Sequence, residues 1–141
     1  MGKIINHGNW KKEKGITLIE TVVSLTIVII ISLACFSLVI FAANSRKKAS
    51  VNRFFSNLTH QCLKLYTTYT DGSEFEDGFS ILTNQTIEYG VDTTFYLNET
   101  YHYVTSESYK YSIIFDFEDD SLKITSLYSN GDKILVRSAA K

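Results

Sequence analysis

Residues 21–43, TVVSLTIVIIISLACFSLVIFAA, are 23 consecutive positions without a charge. About 20 such residues suffice to span a bilayer as a helix. The hydroxyls inside the run can return to the helix backbone and cost little in lipid. Nothing that follows breaks a helix. From Val51 the apolar positions are Val51, Phe54, Phe55, Leu58, Cys62, Leu65, Tyr66 and Tyr69, whose spacings of three and four mark one helical face. The pattern predicts one helix from near residue 16 to near residue 69, roughly 80 Å long. Its first half is apolar all round. Its second half is amphipathic and should lay its stripe on another element.

The helix should stop at Asp71-Gly72, with the loop DGSEFEDG after it. Beyond Gly78 the period becomes that of strands. Residues 79–82, 86–91, 94–97 and 101–105 are short candidates. Residues 109–117 and 122–128 flank Glu118-Asp119-Asp120-Ser121, which reads as a hairpin loop. Asn130-Gly131 is a strong turn signal, and 133–136 returns as a last strand. The expectation is an α+β chain, a long N-terminal helix on a small antiparallel meander. Its parts are a leader (1–15), a membrane half of the helix (16–43), an amphipathic half (44–70) and a sheet domain (71–141).

With 141 residues there is room for one small domain besides the helix, and 9 Tyr and 9 Phe can furnish its core. The formal charge of -1 gives no reason to expect a nucleic-acid partner. The charge is uneven, however. Lys3, Lys11, Lys12 and Lys14 stand against Glu13 in residues 1–15, and the rest of the chain is net acidic. Arg46, Lys47, Lys48 and Arg53 follow the apolar run, so four basic residues lie on each side and charge bias does not orient it. Cys35 and Cys62 on one helix would lie about 40 Å apart, too far for a bridge. His7, His60 and His102 are dispersed. No nucleophile-base pair, phosphate loop or metal set points to an enzyme. Tyr101, Tyr103, Tyr109 and Tyr111 alternate in two pairs, as cross-strand packing would have them.

Residues 15–20 read Gly-Ile-Thr-Leu-Ile-Glu directly after Lys-Lys-Glu-Lys. This resembles the signal of type IV prepilins and pseudopilins, in which a basic leader ends in Gly and an apolar run follows with Glu at its fifth position. The family usually has Phe after the Gly, where this chain has Ile16. The close resemblance covers residues 11–43. It implies cleavage by a prepilin peptidase between Gly15 and Ile16, N-methylation of the new terminus, and assembly through the helix. The leader would be cytoplasmic and the C-terminal domain extracytoplasmic, with a cell-surface filament after assembly. The implied partners are other pilin or pseudopilin subunits, the peptidase, a membrane assembly platform and, before assembly, lipid. The small sheet and the lack of a disulfide pair resemble minor pseudopilins of competence or type II secretion-like systems.

Gly15 and Glu20 have a physical rationale of their own. An ordinary secretory signal is cut after its apolar segment, whereas a cut at Gly15 leaves that segment attached. Glu20 would lie one helical turn from the amine of Ile16 and could neutralise it or that of a neighbouring subunit. A charged pair in an apolar groove fixes register, because every misaligned packing leaves a charge unpaired. Without Gly15 and Glu20 the run would be a plain single-pass anchor. An uncleaved membrane protein with an extracytoplasmic ligand- or partner-binding domain is therefore the competing function. Ala34-Cys35 fits a lipobox poorly, since the apolar run continues past it.

Asp71, Glu74, Glu76 and Asp77 form an acidic stretch. Some relatives in secretion systems bind calcium in their C-terminal domains, but the spacing here is not that of an EF-hand, and a solvated loop without cofactor is expected. Three Asn-x-Thr sequons, at Asn57, Asn84 and Asn98, are taken as chance in a chain rich in both residues.

Overall fold

The computed structural model describes residues 18–141. The chain divides into two compact units, one reaching to Asn44 and one comprising Ser45–Lys141. Helix α1, Leu18–Thr68, runs from the first into the second. It holds neither Gly nor Pro, the two residues that most disfavour a helix interior. Within the first unit four of the five described hydroxyls close back on the helix as expected. Thr21 donates to the Leu18 carbonyl at 2.7 Å, Thr26 to Val22 at 2.8 Å, Ser32 to Val28 at 2.7 Å and Ser37 to Leu33 at 3.0 Å.

In the second unit α1 buries Val51, Phe55, Thr59, Cys62 and Tyr66. Four of these belong to the stripe read from sequence, and Thr59 completes it. Phe54, Leu58 and Leu65 are partly buried beside them. The stripe lies on a five-stranded antiparallel sheet, with Phe55 edge-on to Tyr111 at 5.4 Å and Tyr66 at 6.3 Å from Phe117. Each fully buried large apolar side chain contributes about 1.5–3 kcal/mol over an exposed one.

The strands are β1 (Thr93–Leu97), β2 (Tyr103–Val104), β3 (Tyr111–Glu118), β4 (Ser121–Tyr128) and β5 (Lys133–Ala140). The last three form the expected hairpins. Glu118 pairs with Ser121 across Asp119 and Asp120, and Asp119 takes a positive φ of 39° in that tight turn. Gly131, at φ 87°, makes the second turn. Ile113, Phe115, Leu122 and Ile124 fill the core from β3 and β4.

Three expectations are corrected. The sheet order is β2-β1-β3-β4-β5, so it is not a simple meander. β1 pairs with both β2 and β3, and the chain from β2 to β3 passes the end of β1. Residues 71–83, read as a loop and a strand, instead form helix α2, Gly72–Thr83. Asp71 caps it by accepting from the Ser73 amide at 3.2 Å, and Asn84 ends it in the left-handed region at φ 54°. Phe75, Phe79 and Leu82 set its inner face, with Phe79 edge-on to Phe115 at 5.3 Å. The two glycines that suggested a loop serve close approach. A Cβ on Gly72 would stand 2.9 Å from the Tyr89 ring, and one on Gly78 3.1 Å from a Leu65 methyl. Lastly, residues 86–91 are not a strand. Ile87 plugs the core, and the Tyr89 amide donates to Glu76 Oε1 at 2.7 Å rather than to a neighbouring strand.

Candidate functional site

The site predicted from sequence centres on residues 15–20. Gly15 and Ile16 lie outside the described residues, as does the leader. Glu20 occupies the first turn of α1 and is exposed. A carboxylate there is favoured by the helix dipole, whose positive end is the N-terminus. It therefore meets the helix in the one turn where an acid adds stability.

Around and beyond it the apolar residues are uncovered. Ile19 is 74% exposed, and Phe36 and Phe41 are each 71% exposed. α1 is the one helix among the described residues long and apolar enough to cross a membrane, by length and composition. Exposed apolar surface on this scale marks a lipid-facing or partner-facing element.

The basic residues after the run are all exposed. Lys47 Nζ lies 3.9 Å from Glu99 Oε1, which is also 4.0 Å from Lys110 Nζ. Such exposed pairs contribute at most about 1 kcal/mol.

The acidic stretch has structural employment. Asp71 is the N-cap of α2, Glu74 lies in its first turn, and Glu76 holds the Tyr89 amide. Among the described residues no group of three or more His, Cys, Asp or Glu side chains is placed to hold a metal ion. Asn98, within a sequon, is likewise engaged: its Oδ1 accepts from the Thr100 and His102 amides at 2.9 and 3.0 Å, shaping the turn between β1 and β2.

Both cysteines are free, Cys35 exposed and Cys62 buried. Burial pushes the Cys62 thiol up from 9.0 to about 12. At neutral pH it is an uncharged, unreactive core residue. Tyr66 is pushed up from 10.0 to about 12, first by burial and then by its hydrogen bond with Tyr89. Burial also raises Tyr103 and Tyr111. The tyrosines read as packing residues do pack: Tyr101 stacks on Phe54 at 4.1 Å, and Tyr109 lies 4.8 Å from Tyr96.

Two features escaped sequence reasoning. Lys141 closes over the end of the core, its ammonium 5.1 Å from the Tyr66 ring centre and 4.7 Å from that of Tyr89. It donates to Tyr89 Oη at 2.8 Å and the Thr70 carbonyl at 3.2 Å. The sequence signal is nil, because the cage is assembled from residues 52 to 75 positions away. The second is a groove of about 590 Å³ between α1 and α2, floored by Leu65, Tyr69, Gly78 and Leu82 and rimmed by Lys64 and Ile81. Ile81 is 87% exposed. A strand over 79–82 would make it an interior position, and the helical phase of α2 turns it outward.

Comparison with protein families, with curated proteins and with solved structures returned no match.

Proposed function

We propose that this chain is a structural subunit of a type IV pilus or pseudopilus. It is inserted through α1, trimmed by a prepilin peptidase after Gly15, and assembled through residues 16–43. The observation that carries the reading is the spacing Gly15-Ile16-Thr17-Leu18-Ile19-Glu20 after a basic leader and at the head of an uncharged 23-residue run. Supporting it are the long exposed apolar helix and a small sheet domain on the far part of that helix. The small domain suits a minor pseudopilin of a competence or type II secretion-like system. The reading calls for no cofactor.

In this account partner helices cover the apolar surface when the subunit leaves lipid, and Glu20 sets the axial step by pairing with the amine of a neighbouring Ile16. Glu20→Ala is therefore expected to insert and be cleaved normally yet fail to enter filaments. Normal incorporation of that variant, followed by cross-linking or by immunoblotting of sheared filaments, contradicts the register role.

The exposed groove beside Ile81 favours a second reading: an uncleaved single-pass membrane protein whose outer domain binds a ligand or partner. That reading predicts a chain that keeps its leader.

A further inference from the structure

No acidic residue occurs between residues 21 and 70, and Arg46, Lys47, Lys48 and Arg53 begin three positions after the apolar run ends. At 1.5 Å per residue, Arg46 to Lys48 stand about 5–8 Å beyond the last apolar residue. That is headgroup depth, since the polar layers add several Å to each side of the hydrocarbon; Arg53 stands about 15 Å out, and its long side chain, tilted toward the helix N-terminus, reaches back toward that layer. Four basic residues on both flanks of one span run against the usual one-sided bias, so the second set serves something other than orientation.

Their disposition says what. Successive helix residues are turned by about 100°, so 46, 47 and 48 face three different sides, and 53 returns to the side of 46. Lys47 faces its own domain, where Glu99 holds it at 3.9 Å. Arg46, Lys48 and Arg53 form none of the ion pairs among the described residues, and all three are exposed. A flat protein partner could meet one of these sides. Lipid surrounding the helix meets all of them.

We propose that Arg46, Lys48 and Arg53 form a collar that binds the phosphate head groups of anionic lipid where the span leaves the membrane, with Lys47 partly engaged by Glu99. Guanidinium groups suit phosphate through paired hydrogen bonds, and lysine adds a point charge. The collar rests on the span alone. It requires neither cleavage at Gly15 nor filament assembly.

The test uses the full chain with Lys3, Lys11, Lys12 and Lys14 each replaced by Gln, so that the leader contributes no lipid preference of its own. It is reconstituted in phosphatidylcholine bilayers. Electron paramagnetic resonance then compares spin-labelled phosphatidylglycerol with spin-labelled phosphatidylcholine at the protein boundary. A basic residue near the membrane surface is worth about fivefold in affinity for anionic lipid. The expected preference for phosphatidylglycerol is thus about fivefold at low salt. It falls below about twofold in the Arg46→Gln, Lys48→Gln, Arg53→Gln variant and also at high salt. Lys47→Gln lowers it less than any collar substitution, because Glu99 engages Lys47 in part, and Glu99→Gln raises it. These exposed substitutions should not alter thermal unfolding of the domain, which is the control for folding. An undiminished preference in the triple variant overturns the proposal. So does an equal affinity for both lipids in the parent accompanied by collar-dependent cross-linking between copies, which assigns the collar to a protein partner. Failure of filament incorporation tests would leave the lipid result standing, so the two readings fail separately.

Discussion

α1 is one helix with two kinds of surface. From residue 18 to residue 50 every side chain is exposed, although 20 of the 26 residues 18–43 are apolar. From Val51 onward one side chain per turn is buried against the sheet and α2. The backbone rules satisfied are the same in both stretches. What differs is who supplies the cover. In the second stretch the chain covers its own stripe, and the apolar positions narrow to one face. In the first there is no stripe to cover, because the apolar surface runs all round. Such a surface must find its cover in lipid or in other helices.

The contrast is broken most directly by matched truncations. Phe55→Ala should cost the domain about 3–5 kcal/mol, because the ring is fully buried and edge-on to Tyr111. Phe36→Ala removes an equal ring from the exposed stretch. It should leave domain unfolding within about 0.5 kcal/mol. Denaturant unfolding in detergent, read by circular dichroism above the helix background, measures both. Equal effects would mean that the first stretch is packed on the domain after all.

A smaller effect tests how α2 closes over the second stretch. Gly72→Ala drives a methyl to within 2.9 Å of the Tyr89 ring. That ring is hemmed in by Tyr66 and Phe75 at 6.0 and 5.8 Å, so it has little room to yield. A loss of about 1–3 kcal/mol is expected, measured by the same unfolding curve. An unchanged midpoint would show that α2 sits more loosely than described.

The smallest effect at neutral pH is zero by construction and grows in alkali. Folding raises the Cys62 thiol from 9.0 to about 12. Below pH 9 the thiol is protonated in both states, and its full contribution is present. Above pH 9 the unfolded state loses the proton first, so stability falls as pH rises toward 12. By pH 10 the loss from Cys62 is about 1 kcal/mol, and Tyr66, raised to about 12 as well, steepens the decline. Cys62→Ala should flatten the early part of that curve. In parallel, a thiol reagent should label Cys62 only on unfolding. Fast labelling of Cys62 in the folded protein would contradict its burial.

Much of this contrast was legible in the residues. The helix, its change from all-round to one-sided hydrophobicity, and the β3-β4-β5 hairpins follow from period and turn chemistry, which are local. The failures share a cause. Gly72 and Gly78 signalled a loop because sequence shows a missing side chain but not the Tyr89 ring and Leu65 methyl that require its absence. The helical spacing of Phe75, Phe79 and Leu82, with Asp71 as cap, was the available signal for α2. Residues 86–91 had strand-like composition, but Ile87 plugs the core and the Tyr89 amide donates to Glu76 instead. The place of β1 between β2 and β3 depends on β1 pairing with β3 past the intervening β2, and the Lys141 cage on residues 52 to 75 positions away, neither of which a local pattern shows. At the proposed functional site, Glu20 is the one residue whose placement is described, and the weight of the reading rests on Gly15 and Ile16, which sequence alone supplies.

The Gly15–Ile16 bond is therefore the place to test the pilin-like reading. The full chain is co-expressed with its own prepilin peptidase, recovered from membranes, and examined by N-terminal sequencing and intact mass. The expected product is a mature protein that begins at Ile16 with a methylated amine and retains Glu20 and the whole apolar run. A chain that still begins at Met1 under those conditions contradicts that reading.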